Sequence, residues 1–120
     1  MYVLLVDDEK ELISTLAERL SFRNIKTDWI TSGEEALRLV QKNDYDIAVL
    51  DIKMPGISGI ELGEKIREIC PDIHILFCTG QGLDFNFKAG SAIGGEDSYL
   101  FKPIDINNLI GKMNELMEGV

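Results

Sequence analysis

Asp46-Ile47-Ala48-Val49-Leu50-Asp51-Ile52-Lys53-Met54-Pro55-Gly56 is the stretch that decides the fold. Ile47–Leu50 is an unbroken apolar run between two acids. It reads as a strand buried on both faces, ending in Asp51 and followed by a Met-Pro-Gly turn. Downstream, Ser58 and Glu61 have the spacing of a capping box, and Leu62, Ile66 and Ile69 mark the inward face of a helix that Pro71 stops. Upstream, Ser32 and Glu35 repeat the capping signal before Ala36, Leu37 and Val40.

The same alternation runs through the rest of the chain. Tyr2–Val6 is a short strand-forming run. A helical face of Leu12, Ile13, Leu16, Ala17 and Leu20 follows, with Asp8 and Glu11 as its expected capping box. Ile25–Ile30 alternates, with Ile25, Thr27 and Trp29 on one side and Lys26 and Asp28 on the other, which suits an edge strand with one wetter face. Ile73–Cys78 and Tyr99–Phe101 read as further strands, and a last helix begins near Asp105, with Ile106, Leu109, Ile110, Met113, Leu116 and Met117 as its apolar stripe. Between Gly80 and Asp97 the pattern weakens. A short helix is expected over Asp84–Ser91, because Gly90, Gly94 and Gly95 each cost about 1 kcal/mol relative to Ala inside a helix. The fourth helix is therefore expected to be short or irregular.

Five strands alternating with helices imply an α/β fold, a parallel sheet covered on both faces. The pattern leaves the strand order open. The flavodoxin-like order 2-1-3-4-5 is one of two common choices, and it puts the alternating second strand at an edge.

Composition narrows the function classes. The 120 residues suit one domain. Twelve Lys and Arg against 21 Asp and Glu give a net charge of -9, which disfavours direct nucleic-acid binding and an anionic membrane surface. Tyr2–Asp8 reaches acid at once and does not read as a signal peptide, and no apolar run approaches the roughly 20 residues of a membrane span. Cys70 and Cys78 are read as reduced thiols of a cytoplasmic protein, and His74, in an apolar run, as a packed strand residue. One histidine gives a His-based metal site or a catalytic triad little support.

In sheets of this kind, ligands bind outside the carboxyl ends of the strands. The first strand ends in Asp7-Asp8, the third in Asp51, the fourth in Cys78-Thr79-Gly80 and the fifth in Lys102-Pro103. In the proposed order the first and third strands are neighbours, so three carboxylates meet. At about 4 Å and an effective dielectric near 20, each like-charge pair costs about 4 kcal/mol. A hard divalent cation relieves this, and oxygen-only donors point to Mg²⁺. A carboxylate can then serve as a nucleophile toward a phosphoryl group, with Lys102 and Thr79 as partners for its oxygens.

Taken in order, Leu4-Leu5-Val6-Asp7-Asp8-Glu9, Asp51-Ile52-Lys53-Met54-Pro55-Gly56-Ile57-Ser58-Gly59, Thr79-Gly80 and Tyr99-Leu100-Phe101-Lys102-Pro103 resemble the receiver domain of two-component response regulators. Ser32-Gly33-Glu34-Glu35-Ala36-Leu37 looks like that family's second-helix opening. The resemblance covers essentially the whole chain. It implies a single receiver domain over residues 1–120, a three-layer sandwich with no output domain within the chain.

The resemblance also implies roles. Asp51 would accept a phosphoryl group from a phosphohistidine on a sensor histidine kinase or phosphotransfer protein. Asp8, Asp51 and the backbone carbonyl of Lys53 would bind Mg²⁺ directly, and Asp7 would act through a metal-bound water. Thr79 and Lys102 would contact the phosphoryl group. Tyr99 would turn inward as Thr79 moves, and the Lys102-Pro103 bond would be cis. The output face would be the helix after the fourth strand, the fifth strand and the last helix, acting on a downstream protein or on an output domain outside this chain. Such a domain is not an enzyme in the turnover sense, since it catalyses only its own phosphorylation and slow dephosphorylation. Lys53 and Gln81 flank the acceptor at positions that influence phosphoryl lifetime in the family; Lys53 could stabilise phosphate or simply reach solvent.

The main rival is a non-phosphorylated adapter on the same fold that only binds protein partners. A flavin carrier is disfavoured because Asp7-Asp8 would repel the flavin phosphate. An aspartyl-nucleophile phosphatase usually wants a second Asp where Lys53 stands. Gly80-Gln81-Gly82 is too little for a dinucleotide fingerprint.

Overall fold

The computed structural model describes residues 1–80 and 99–118. Within them the order is β1 (Tyr2–Val6), α1 (Lys10–Ser21), β2 (Lys26–Ile30), α2 (Gly33–Lys42), β3 (Ile47–Asp51), α3 (Gly59–Ile69), β4 (His74–Thr79), β5 (Tyr99–Phe101) and α4 (Ile106–Met117). The sheet is wholly parallel in the order β2-β1-β3-β4-β5. The helix expected over Asp84–Ser91 lies outside the described residues.

β3 is buried at all five positions, as its apolar run requires. Its alternate side chains feed two cores. Leu4, Val6, Ala48, Leu50, Ile75 and Phe77 pack toward α2 and α3. Val3, Leu5, Ile47, Val49, Leu76 and Cys78 pack toward α1 and α4. Each buried Leu, Ile, Val or Phe side chain contributes about 1.5–3 kcal/mol relative to exposure, so the central strands are the anchor of the fold.

Three helix starts follow the sequence. The Ser32 hydroxyl accepts from the Glu35 N–H at 3.4 Å, that of Ser58 from Glu61 at 3.2 Å, and the Asp105 carboxylate from Asn107 at 2.8 Å. The first helix departs from expectation. Glu9, not Asp8, is its N-cap, with no side-chain cap bond. The Asp7 carboxylate takes the Glu9 N–H at 2.9 Å, and the Glu9 carbonyl opens the helix by accepting from Ile13. Asp8 is thereby left exposed at the rim instead of serving as a cap.

Two packing expectations also need correction. On β2, Asp28 is half-buried, whereas Trp29 is 36% exposed. The Asp28 carboxylate is drawn in because it accepts from the Tyr2 hydroxyl and, at 2.6 Å, from the Tyr45 hydroxyl. Ile69, expected inward, is 38% exposed, since it closes α3 just before the Pro71 turn. His74 opens β4 half-buried, as a packed strand residue, at the rim opposite the strand ends that carry the acids. No described helix is long and apolar enough to cross a membrane.

Candidate functional site

The carboxyl ends of β1, β3, β4 and β5 converge, and main-chain hydrogen bonds carry the pairing past the strands themselves. Asp7 N–H donates to the Ile30 carbonyl at 3.3 Å, Ile52 N–H to Cys78 at 3.0 Å and Lys102 N–H to Thr79 at 2.8 Å. These bonds place the site side chains. Oxygens of Asp7, Asp8 and Asp51 lie within 4.8 Å of one another. Asp7 and Asp51 are each 5% exposed, and Asp8 is exposed. The three acids read from the strand ends therefore do meet.

Lys102 closes the cluster. Its Nζ lies 3.0 Å from Asp7 Oδ2, 3.3 Å from Asp51 Oδ1 and 3.2 Å from Glu9 Oε1. Burial, then the Asp7 charge, pushes the Asp51 carboxyl up to about 6, against the pull of Lys102. Burial also raises Asp7, countered by the Glu9 N–H and Lys102. Burial works to lower Lys102, but Asp7, Asp51 and Glu9 together raise it, so it stays charged.

Thr79 is buried at the end of β4, and its hydroxyl donates to the Gly80 carbonyl at 3.2 Å. Tyr99 already lies inward, 3% exposed and stacked on Phe77 with ring centroids 5.5 Å apart. The Lys102-Pro103 bond is cis. Lys53 stands exposed two residues beyond Asp51. The loop it occupies returns tightly: Gly59 N–H bonds the Ile52 carbonyl at 2.9 Å, and a Cβ added at Gly59 would overlap the Asp51 carbonyl oxygen. Gln81 lies outside the described residues.

Glu9 had no assigned role in the sequence reading. Its only signal there is a third acid after Asp7-Asp8; the partner, Lys102, is 93 residues away. Cys78 sits beside Asp51 in register, but its side chain is buried in the core that packs toward α1 and α4, and burial pushes its thiol up to about 12. The donor set is thus carboxylate oxygen, two of the three groups buried and held close against their repulsion. That suits a hard, oxygen-seeking divalent cation.

The Response regulator receiver domain profile matches residues 3–114. The chain belongs to that family. A transcriptional regulatory protein, TcrA, of Mycobacterium tuberculosis is 32% identical over 114 residues, covering 95% of this chain and 45% of its own length. The response regulator MprA of a Mycobacterium species is 33% identical over 115 residues, covering 96% and 50%. The chain therefore spans about half the length of these curated relatives. Among solved structures, a receiver domain protein from Methanospirillum hungatei superposes with a TM-score of 0.89 at 26% identity, covering 98% of this chain and 94% of its own. The Francisella response regulator 1452 receiver domain gives 0.85 at 30% identity, covering 98% and 96%. The flavodoxin-like fold and the receiver family, both implied by the sequence, are thus established. A receiver is a signalling domain, not a conventional enzyme, and its acidic pocket is the type of site that binds Mg²⁺.

Proposed function

We propose that this receiver domain is a working phosphoacceptor. A phosphohistidine on a sensor kinase or phosphotransfer protein gives up its phosphoryl group to an Asp51 carboxylate oxygen. The N–P bond breaks, an O–P bond forms, and the imidazole recovers its electron pair. The observation that carries this reading is the Lys102 ammonium held 3.0 Å from Asp7 and 3.3 Å from Asp51, beside a three-carboxylate cluster.

Asp8, Asp51 and the Lys53 backbone carbonyl would hold Mg²⁺ directly, with Asp7 acting through a water. When bound, Mg²⁺ supplies neutralising charge for carboxylate and phosphoryl oxygens. Asp51 is the nucleophile. It is ionised at pH 7.5, above its raised value of about 6. Lys102 presents a fixed positive charge to the incoming phosphoryl oxygens. Thr79 can reach them by exchanging its bond to Gly80 for one to phosphate. Through β5, which carries Tyr99 and leads into Pro103, that exchange would pass the change to the output surface. Residues 1–120 form one receiver domain in this reading, cytoplasmic, signalling to a downstream protein or to an output domain outside these residues. It catalyses its own phosphorylation and slow dephosphorylation only.

The test is intact mass after incubation with acetyl phosphate, with and without Mg²⁺, alongside Asp51→Asn. A Mg²⁺-dependent gain of one phosphoryl group, absent in the variant, is expected. No gain, together with failure to form a beryllofluoride complex, would leave a protein-binding adapter as the reading.

A further inference from the structure

The Lys102 ammonium has three N–H donors, and three carboxylates lie within 3.3 Å of it. Two of them, on Asp7 and Asp51, have side chains only 7% and 6% exposed. The third, on Glu9, is 62% exposed and meets Nζ at 3.2 Å. The Lys102 side chain is 18% exposed. Among the described residues these three are its carboxylate partners, and the exposed one is Glu9.

Resting on the phosphoacceptor reading, we propose that Glu9 is a positioning residue that latches Lys102 and must be displaced by the incoming phosphodonor. Three donors cannot serve three carboxylates and a phosphoryl oxygen at full strength. The partner given up is the most hydrated one, because an exposed ion pair is worth little while the buried pairs are not readily surrendered. Glu9 also sets a negative charge at the mouth through which a dianionic donor approaches. Neither effect requires the helix to change: Glu9 caps α1 through its backbone alone, so its side chain is free of that duty.

The experiment compares wild type, Glu9→Gln and Glu9→Asp in initial phosphorylation by acetyl phosphate at saturating Mg²⁺. Glu9→Gln is expected to lower the donor concentration at half-maximal rate about three- to fivefold, leave the plateau rate unchanged, and lose this advantage in 0.5 M salt. Glu9→Asp keeps the charge at the mouth but withdraws it from Lys102 by one methylene, so it should fall between wild type and Glu9→Gln. Without donor or Mg²⁺, the side-chain ammonium resonance of Lys102 should shift in both variants. Equal donor dependence in wild type and Glu9→Gln, or an unmoved ammonium resonance, overturns the latch alone. Glu9→Asp matching wild type while Glu9→Gln is faster assigns the effect to general charge and also overturns it. Wild type that takes no phosphoryl group and no beryllofluoride overturns the phosphoacceptor reading, and the latch with it.

Discussion

Replacing the proposed acceptor should stabilise the protein. In Asp51→Asn the buried carboxylate becomes a neutral amide of nearly the same shape. The Asp51 carboxyl rises from 3.8 to about 6 on folding, mainly through burial and the Asp7 charge. At about 1.4 kcal/mol per pKa unit, ionising it in the native state costs roughly 3 kcal/mol once the pH exceeds 6. The sign follows from proton counting: between 3.8 and 6 the native state binds more protons than the unfolded one, so wild-type stability falls as pH rises through this window. Burying the amide with imperfect partners returns about 1 kcal/mol of that gain. Asp51→Asn should therefore be about 1–2 kcal/mol more stable at pH 7.5, or about 4–8 °C in Tm for a domain of this size. The gain should shrink steadily toward pH 4.5. Mg²⁺ should narrow it from the other side, because at tenfold its Kd a cation bound by wild type alone adds about 1.4 kcal/mol. Thermal unfolding by circular dichroism across pH 4.5–8, with and without Mg²⁺, reads all three trends. An Asn variant less stable than wild type at pH 7.5 without Mg²⁺ would refute the claim that the acidic rim is under electrostatic stress.

Lys102→Met removes the countercharge from two buried carboxylates and should cost about 3 kcal/mol at pH 8, less at pH 5 where the acids can protonate; urea unfolding at both values checks it. Gly59→Ala drives a methyl into the Asp51 backbone carbonyl, which cannot swing aside, and should cost about 2 kcal/mol or more. Gly33→Ala instead meets the Cγ2 methyl of Ile57, a half-buried loop side chain that can shift with its loop rather than a fixed backbone carbonyl, so its urea midpoint should move less. Tyr45→Phe removes one of two phenols on Asp28 and should cost about 1 kcal/mol. Burial, with Asp28, raises the Tyr45 phenol, so in an ultraviolet titration it should ionise after an exposed tyrosine does, and earlier in Asp28→Asn.

Most of the fold was legible because its signals are local. β3 begins with its apolar run and ends one residue past it at the buried Asp51, and β5 spans its apolar run Tyr99–Phe101 although Phe101 itself is exposed. The strand ends in turn located Asp7, Asp8, Asp51, Thr79 and Lys102. What escaped was long-range. Asp28 alternates like a solvent residue, and only Tyr2 and Tyr45, 26 and 17 positions away, turn it inward. Asp8 and Glu11 had capping spacing, but Asp7 took the Glu9 N–H first, and spacing alone cannot rank competing acceptors. Glu9 is silent in sequence because its partner arrives only when β5 closes the sheet.

The repulsion at the rim persists because the backbone cannot relax it. A cluster of like charges on a loop would simply spread apart. Here the two buried acids grow from main chain that is pinned beyond the ends of their strands: Asp7 N–H to Ile30, and the residues after Asp51 by Ile52 to Cys78 and Gly59 to Ile52. The Gly59 contact leaves no room for the turn after Asp51 to drift. With two cores beneath, moving any of these strands would uncover several buried leucine, isoleucine and phenylalanine side chains at once, which together are worth more than the repulsion between two carboxylates. Burial, and with it the repulsion from Asp7, therefore appears as a raised proton affinity at Asp51 rather than as displacement. In the phosphoacceptor reading proposed above, such a site would respond to an arriving cation or phosphoryl group by redistributing charge among side chains already in place, with Lys102 as the group whose partners change.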